Sequence, residues 1–350
     1  MKAVVSHEGS IRMADVPDPL LEEGFVLVQT EYSAISPGTE LMMNGHNYAA
    51  PTILGYSASG VVRKVGKDAR LEVGQRVACY GAPYVKHAEW LAVPKHLAVP
   101  VPDSVTLKEA STVGLGAIAV HALRQASLQF GESVLLIGAG ILGQLTAQIA
   151  RAAGYRVIVH DLLEARCRKA EELGIRHVCR SAEEVEKTIG LLTDGQGVDA
   201  VLLCAGGKTG ELMDQSLEWI RDRGKVLVVG DLKMDFSRER LFAKEAQVLI
   251  SRAGGPGRYD PLYEKGGLDY PIGYVRWTEG RNMAEYIRLM AEGDIRVEPL
   301  ITDVYPIEQC SAAFRRYAEA PHDILGAVLE YPAAAQQEGG KEEASAGGKR

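Results

Sequence analysis

The stretch Val134-Leu-Leu-Ile-Gly-Ala-Gly-Ile-Leu-Gly143 ends an apolar run with three glycines in the spacing GxGxxG. A helical pattern follows, and then a second apolar run, Tyr155-Arg-Val-Ile-Val-His-Asp161. Asp161 lies 18 residues after Gly143, close to the spacing of about 20 found in dinucleotide-binding βαβ units. The three glycines alone would also fit a turn in another α/β domain. Strand, turn, helix, second strand and acid together predict a dinucleotide-binding turn.

Each residue of this turn has its own physical task. Gly138 permits the tight turn out of the strand, Gly140 lets the backbone approach a pyrophosphate, and Gly143 lets the helix pack closely on the sheet. Ile141 and Leu142, at the predicted start of the helix, are further candidates for cofactor binding. The phosphates would therefore meet free N–H groups and the positive end of the helix dipole.

Asp161 bears on the choice between NAD and NADP. A carboxylate at this position can accept hydrogen bonds from both ribose hydroxyls of NAD and would repel the 2′-phosphate of NADP. The next two residues are leucines, which favours NAD, whereas Arg166 is near enough to leave NADP open. Cys204 and Ala205, at the end of the fourth strand predicted in this half, are expected near the nicotinamide end of the cofactor.

Composition excludes several classes of function. A chain of 350 residues with 46% hydrophobic and 24% charged residues is typical of a globular protein of two domains. A net charge of −7 argues against a nucleic-acid partner. Five scattered cysteines without a CxxC pair favour a reducing compartment. There is no signal-peptide pattern and no apolar run of the roughly 18 residues that a membrane span needs, so we expect a cytoplasmic protein without membrane contact.

The chain changes character near residue 107. Before it, short β-like runs separated by Gly, Pro and charged turns predict a β-rich, barrel-like or sandwich-like domain. After it, strands alternate with helices, which predicts an α/β fold with a doubly wound parallel sheet. Residues 254–277 interrupt this alternation and are rich in Gly, Pro, Tyr and Arg. Residues 333–350 could bury almost nothing and predict a disordered tail.

Four segments of the β-rich half match motifs of one family. They are Gly38-Thr-Glu40, Pro51-Thr-Ile-Leu-Gly55 followed by Gly60-Val-Val, Gly74-Gln-Arg-Val77, and His87-Ala-Glu-Trp90. With the mid-chain dinucleotide pattern, they resemble the medium-chain dehydrogenase/reductase superfamily of alcohol dehydrogenases and quinone reductases. The resemblance implies a GroES-like catalytic domain over residues 1–114 and 292–332. It implies a Rossmann domain over 115–291, with the loop 254–277 inserted.

The sequence departs from this family at the positions that bind zinc. Zinc-dependent members place Cys, a His-Glu pair and a third ligand where this chain has Pro37, Tyr56 with Ser57, and Gly114 or its neighbours. None of these is a useful zinc ligand, and the four-cysteine structural lobe is also missing. We therefore expect no zinc at the family's positions. An unrelated site remains an alternative, and its candidate ligands are Cys79, His87, Glu40 and His46.

Hydride transfer without a metal requires a side-chain acid or base at the reacting oxygen. The resemblance places Thr39, Glu40, Tyr56 and His87 at positions that face the active cleft, and these are the catalytic candidates. Thr39 could begin a proton relay or satisfy a local turn. Tyr56 could donate to a substrate oxygen or fill the vacated metal site. Glu40 and His87 could exchange protons or be structural.

The loop 254–277 supplies the candidates for substrate binding: Arg258, Tyr259, Arg276 and Trp277. Aromatic faces with fixed hydrogen-bonding groups suit a polyhydroxylated ring, although a structural flap or dimer contact is the alternative. The loop resembles that of a zinc-less bacterial subgroup, which includes the oxidoreductase half of two-part proteins encoded near glycan-biosynthesis genes.

Three functions remain open at this stage. The first is zinc-independent hydride transfer between NAD(H) and a secondary alcohol or ketone of a sugar, cyclitol or polyol. The second is a zinc-independent quinone or enoyl reductase acting on activated double bonds. The missing metal ligands support this second function. Asp161 argues against it, since such reductases generally use NADPH. The third is a non-enzymatic NAD-binding protein. The resemblance also implies a homo-oligomer.

Overall fold

The computed structural model describes residues 1–46, 50–207 and 210–332. The predicted disordered tail, 333–350, lies outside the described residues. Within the described ranges, none of the helices combines the length and the apolar character that a membrane span requires.

Within the described residues, the β-rich first part of the chain contains eight strands, three α-helices and a 3₁₀ helix (Lys95–Leu97). The strands are β1 (Lys2–His7), β2 (Ser10–Asp15), β3 (Phe25–Ala34), β4 (Thr52–Ile53), β5 (Ser57–Val65), β6 (Arg76–Tyr80), β7 (Trp90–Pro94) and β8 (Ala98–Pro100). The helices are α1 (Pro37–Gly45), α2 (Leu107–Ala110) and α3 (Val113–Ala126). A capping box between Thr106 and Glu109 starts α2.

Strands and helices then alternate as the sequence predicts. The strands are β9 (Ser133–Ile137), β10 (Arg156–His160), β11 (His177–Cys179), β12 (Val198–Leu203), β13 (Ile220–Val228) and β14 (Gln247–Ile250). The helices between them are α4 (Ile141–Ala152), α5 (Glu164–Glu172), α6 (Ala182–Thr193), α7 (Glu211–Trp219) and α8 (Arg238–Ala243). After the loop come α9 (Glu279–Ala291), β15 (Asp303–Pro306), α10 (Cys310–Glu319) and β16 (Ala327–Glu330).

The six strands β9 to β14 form one parallel sheet in the order β11-β10-β9-β12-β13-β14. The order reverses between β9 and β12, and the carboxyl ends of strands at such a switch point form a crevice in which ligands bind. All five residues of β9 are buried, as expected for a parallel strand covered on both faces. The predicted α/β fold with a doubly wound sheet is confirmed.

The GroES-like part contains two sheets. The smaller has the order β2-β1-β4, and the larger joins β15, β16, β3, β5, β6 and β8, with β7 paired to β3. Strands β15 and β16 therefore return to the first half. Helix α3 packs against α4 and α9, and one apolar cluster runs from Tyr80 in the first half to Leu202 in the parallel sheet.

Residues 254–277 consist of successive turns and irregular segments. They are attached to the first half at several points. His96 Nε2 is 3.0 Å from the Gly267 carbonyl oxygen, and its ring stacks on Tyr263 with 4.7 Å between centroids. Lys265 forms an ion pair with Glu22. The loop thus bridges the two halves at the cleft between them.

Candidate active site

The glycine turn has the geometry that its three tasks require. Gly138 has φ +95°, and a Cβ there would lie 2.8 Å from the Ala205 nitrogen. A Cβ on Gly143 would lie 1.8 Å from the Gly138 carbonyl oxygen. At Gly140, by contrast, the nearest atom to such a Cβ is Arg166 Nη1 at 4.0 Å. The space beside Gly140, at the N-terminus of α4, is open, so the turn fits a pyrophosphate that approaches the backbone.

Asp161 also braces this turn, a role that the sequence did not reveal. Its Oδ2 accepts a hydrogen bond from the Ala139 N–H at 2.7 Å, and its Oδ1 accepts one from the Leu163 N–H at 2.8 Å. Arg166 Nη1 lies 3.7 Å from Oδ2. Because an ionised carboxylate has about four acceptor positions, Asp161 can still accept hydrogen bonds from a ribose.

Cys204 follows β12 and is half-buried. Burial raises the pKa of its thiol to about 12, so the thiol is neutral at physiological pH. Its neighbour Ala205 packs directly against Gly138. Both residues directly follow β12, next to the switch point of the sheet.

A cavity of about 490 Å³ lies between the two halves of the molecule. Thr39, Tyr56 and Tyr80 line it from the GroES-like side, while Val229 and Ser251 line it directly after β13 and β14. The other lining residues are Met43, Ile53, Gly55, Ala82, Pro83, Ile118, Ala253, Arg258 and Tyr259. The cavity therefore opens at the carboxyl ends of parallel strands, where ligands of such sheets bind.

A cluster of hydroxyl groups forms one wall of this cavity. The Tyr56 O–H donates to Ser36 Oγ at 2.6 Å, and the Thr39 side chain is a further hydrogen-bond partner of the phenol. Burial, more than any other effect, raises the pKa of Tyr56 well above its ordinary value, so the phenol keeps its proton at neutral pH. Ser36 is a site residue that the sequence reasoning missed. The available signal was its place before Pro37 at the start of α1.

Glu40 and His87 lie behind this wall and are both fully buried. His87 Nε2 is 2.7 Å from Glu40 Oε2, and His87 Nδ1 is 2.7 Å from Ser33 Oγ. Glu40 Oε1 accepts the Ser36 N–H at 2.8 Å. The expectation that these two residues face the cleft is therefore corrected. A fully buried pair cannot touch a molecule in the cavity. Glu40 instead holds the Ser36 N–H, and His87 holds Glu40.

The loop brings two of its four candidates to the cavity. Arg258 and Tyr259 line it, with the Arg258 guanidinium carbon 4.1 Å from the centre of the Tyr259 ring. Arg276 and Trp277 do not line it. The Trp277 ring instead lies within 3.3 Å of the Arg124 guanidinium and 3.8 Å of that of Arg276. Unlike the other two candidates of the loop, these residues lie outside the cavity, and the indole is occupied by cation–π contacts with Arg124 of α3 and with Arg276.

Two family models match this chain. The model described as "Alcohol dehydrogenase GroES-like domain" matches residues 22–103, and the one described as "Zinc-binding dehydrogenase" matches residues 142–265. Together they cover both halves of the fold. The chain belongs to the medium-chain dehydrogenase/reductase superfamily. It is an oxidoreductase of this superfamily, as the resemblance of the sequence implied.

Individual members of the superfamily resemble the chain over most of its length. A sorbitol dehydrogenase of Halalkalibacterium halodurans is 26% identical over 299 residues, 75% of this chain and 87% of that protein. The L-galactonate-5-dehydrogenase of Escherichia coli is 26% identical over 327 residues, 84% and 88% of the two chains. The crystal structure of galactitol-1-phosphate dehydrogenase from E. coli shares the fold with a TM-score of 0.77 at 22% identity, covering 94% of this chain and 100% of that one.

The superfamily's zinc positions contain a network of hydroxyl and backbone groups in this chain. The Ser57 Oγ donates to the Ser111 carbonyl oxygen at 2.5 Å and accepts the Gly114 N–H at 2.8 Å, while Tyr56 binds Ser36. Over residues 1–46, 50–207 and 210–332, no three His, Cys, Asp or Glu side chains form a group that could hold a metal ion. Hydroxyl donors of this kind do not fit zinc, which prefers thiolate, imidazole and carboxylate ligands.

Proposed function

We propose that this protein transfers a hydride between NAD(H) and a secondary alcohol or ketone of a sugar, cyclitol or polyol, without zinc. The observation that carries the proposal is the phenol of Tyr56, which lines the cavity together with Thr39 and is hydrogen-bonded to Ser36. This phenol supplies a proton donor at the site where an open metal position would otherwise polarise the substrate oxygen.

The cofactor assignment is supported by the glycine turn. The backbone at Gly138, Gly140 and Gly143 and the first N–H groups of α4 would hold the pyrophosphate, and Asp161 favours the ribose of NAD. A bound nicotinamide supplies or accepts the hydride. Every proton that moves must then be handled by side chains of this protein.

Tyr56 is the residue that we assign to this proton. To reduce a ketone, the phenol turns its O–H from Ser36 Oγ to the substrate oxygen and donates the proton as negative charge develops there. Ser36 Oγ is fixed next to the phenol because Glu40 holds the Ser36 N–H. Since burial raises the pKa of Tyr56, the phenol is protonated at neutral pH, and alcohol oxidation, which needs the phenolate as proton acceptor, should become faster as the pH rises.

The substrate class is supported by the lining of the cavity and by the relatives. The rings of Tyr56, Tyr80 and Tyr259 and the hydroxyls of Thr39 and Ser251 surround the space. Such a lining suits a ring or chain that carries several hydroxyl groups. Relatives named as sorbitol and L-galactonate-5-dehydrogenases act on molecules of this kind.

A screen of NAD reduction across polyols, cyclitols, sugars, simple alcohols and, in reverse, ketones and enones tests the proposal. We expect turnover with polyhydroxylated secondary alcohols. Selective reduction of enones would replace the proposal with the double-bond reductase. NAD binding without turnover of any substrate would favour the non-enzymatic alternative. Metal analysis of the active protein should find zinc well below one atom per chain, and stoichiometric zinc required for activity would refute the metal-free mechanism.

The variant Tyr56→Phe tests the role of the phenol. We expect kcat to fall by about 10²- to 10⁴-fold, the usual contribution of a positioned acid, while NADH affinity stays unchanged. Tyr80→Phe is the matched control, because it removes a second phenol from the same cavity. Equal losses in the two variants would contradict the assignment of the proton to Tyr56.

A further inference from the structure

The cavity has a marked electrostatic asymmetry. Among the described residues that line it, Arg258 is the one charged side chain, and the others are aromatic, aliphatic, hydroxyl-bearing or glycine. The Arg258 side chain is only 7% exposed. A buried guanidinium has stronger electrostatic interactions than one in water, and its N–H groups need hydrogen-bond acceptors.

Arg258 is fixed from several sides. It forms an ion pair with the buried Glu264 and donates to the Ala82 carbonyl oxygen across the gap between the two halves. Its guanidinium also lies 4.1 Å from the centre of the Tyr259 ring and 5.9 Å from that of Tyr80. These bonds involve one N–H on each terminal nitrogen. Because arginine has five N–H donors, the fixed group retains donors for another partner.

A second carboxyl group lies beside Arg258 and does not bind it directly. Glu279, at the start of α9, is fully buried, and its Oε2 is 4.0 Å from Arg258 Nε. Within the described part of the chain, neither oxygen of this carboxyl has a hydrogen-bond partner. The groups that act on it electrostatically are Arg258 and Glu264. Burial is the largest effect and raises the pKa of Glu279 to about 8, so the carboxyl is neutral at pH 7.

The charge balance of this cluster follows from that neutrality. Glu264 compensates the charge of Arg258, and Glu279 adds no negative charge at pH 7. A carboxylate or phosphate can therefore approach the guanidinium without meeting a second anion. Such a group would form two parallel charge-assisted hydrogen bonds with a planar guanidinium, which a hydroxyl cannot do.

We propose that Arg258 binds an anionic group of the substrate, a carboxylate or a phosphate, and that the buried Glu279 beside it sets how strongly this negative charge is bound. The inference rests on the proposed function and narrows its substrate class to polyhydroxylated alcohols with an acidic group. The alcohol reacts at the wall formed by Tyr56, and the acidic group lies at the wall formed by Arg258.

Kinetics with three matched alcohols test the proposal: a hexitol, the hexonate of the same configuration, and the hexitol phosphate. For the wild type we expect kcat/KM with one of the two anions to exceed that with the hexitol by about tenfold to a hundredfold, the usual value of hydrogen bonds to a charged group. The anion with the higher kcat/KM shows whether the site prefers a carboxylate or a phosphate. A hexitol used as well as both anions would overturn the proposal and leave the proposed function intact.

The variants Arg258→Gln and Arg258→Lys test whether the preference for an anionic substrate depends on Arg258. We expect the first to lower the ratio of anion to hexitol kcat/KM at least tenfold, and the second to lower it less, since lysine keeps the charge but loses the planar fork. An unchanged NADH affinity in both variants would show that the cofactor site is intact. Arg276→Lys is the control, because it changes an arginine of the same loop outside the cavity. An unchanged ratio in both Arg258 variants would refute the proposal.

Two further measurements make the test independent of turnover and folding. Calorimetric titration of the hexonate and the hexitol phosphate into NADH-saturated protein measures anion binding without turnover. If an anion binds but no alcohol is oxidised, the proposed function fails and the anion site stands. In the wild type, anion affinity should fall as the pH rises through about 8, because Glu279 then becomes charged. Glu279→Gln should lose this pH dependence. The same pH profile in both proteins would contradict the role of Glu279.

Discussion

The two sides of the central cleft are built in different ways. On the cofactor side, the turn from Gly138 to Gly143 and its acidic partner Asp161 lie within one βαβ unit of consecutive residues. On the substrate side, groups distant in the sequence meet: Arg258 binds Ala82 across 176 positions, and His87 binds Glu40 across 47. Backbone geometry defines the first side, whereas buried polar contacts define the second.

This difference predicts different sensitivities. Changes at the cofactor turn should act through steric fit of the backbone, and neighbouring glycines should respond in distinct ways. Changes on the substrate side should act through charges and hydrogen bonds that are left without partners, and they should depend on pH. The following four experiments compare the two sides.

Gly143→Ala should have the largest effect. Its Cβ would lie 1.8 Å from a backbone oxygen, so α4 must move away from the sheet, and we expect a loss of stability of about 4 kcal/mol or more. Gly140→Ala is the matched control, because its Cβ enters open space. It should melt like the wild type but bind NADH at least tenfold more weakly. Thermal melts and cofactor titration measure both. Equal stability losses would contradict the separation of the two glycine roles.

His87→Ala tests the buried contacts of the substrate side. The change leaves the Glu40 carboxyl, fully buried, without its imidazole partner. Removing one member of a buried pair costs about 3–5 kcal/mol, which chemical denaturation measures. Glu40→Gln should cost less, because the amide can still hydrogen-bond to both His87 and the Ser36 N–H. A loss below about 1 kcal/mol in His87→Ala would show that these contacts do not support the wall.

Glu279→Gln should change the pH dependence of stability. The pKa of Glu279 is raised to about 8 in the folded protein, from an ordinary value of 4.5. Between these values unfolding releases a proton, so the contribution of this group to stability falls as the pH rises, by up to roughly 1.4 kcal/mol per pH unit. In thermal melts, the variant should be more stable than the wild type at pH 9, and this difference should be nearly absent at pH 5. Parallel pH curves would refute the raised pKa.

Asp161→Ala should have the smallest effect of the four. The ribose contact and the repulsion of a 2′-phosphate disappear together, so the preference for NADH over NADPH should fall by about tenfold, equivalent to about 1.4 kcal/mol. Titrations with both cofactors measure the preference. Equal affinities in the wild type would refute the assignment to NAD. An unchanged preference in the variant would assign Asp161 to bracing the Ala139 and Leu163 N–H groups alone.

Part of the candidate site follows the sequence closely. The β-rich first half, the parallel sheet and the glycine turn are arranged as the patterns predict. Thr39, Tyr56, Arg258 and Tyr259 all line one cavity. Motif matching placed Glu40 and His87 on its surface, but a motif records chain position and not the direction of a side chain. Arg276 and Trp277 share the loop with Arg258, but Trp277 contacts Arg124 of α3 and Arg276 stacks on Trp277, so both lie outside the cavity.

The sequence by itself determined the cofactor turn and the order of the two halves, because glycine spacing and apolar periodicity act between residues that are close along the chain. Only the tertiary structure decided which polar groups meet in the cleft. The contacts of Ser36 with Tyr56 and of Glu279 with Arg258 have no signature in the local sequence. The charge states and partners of these residues depend on burial by segments brought together from the whole chain, and a buried polar group is defined by the neighbours that satisfy it or leave it unsatisfied.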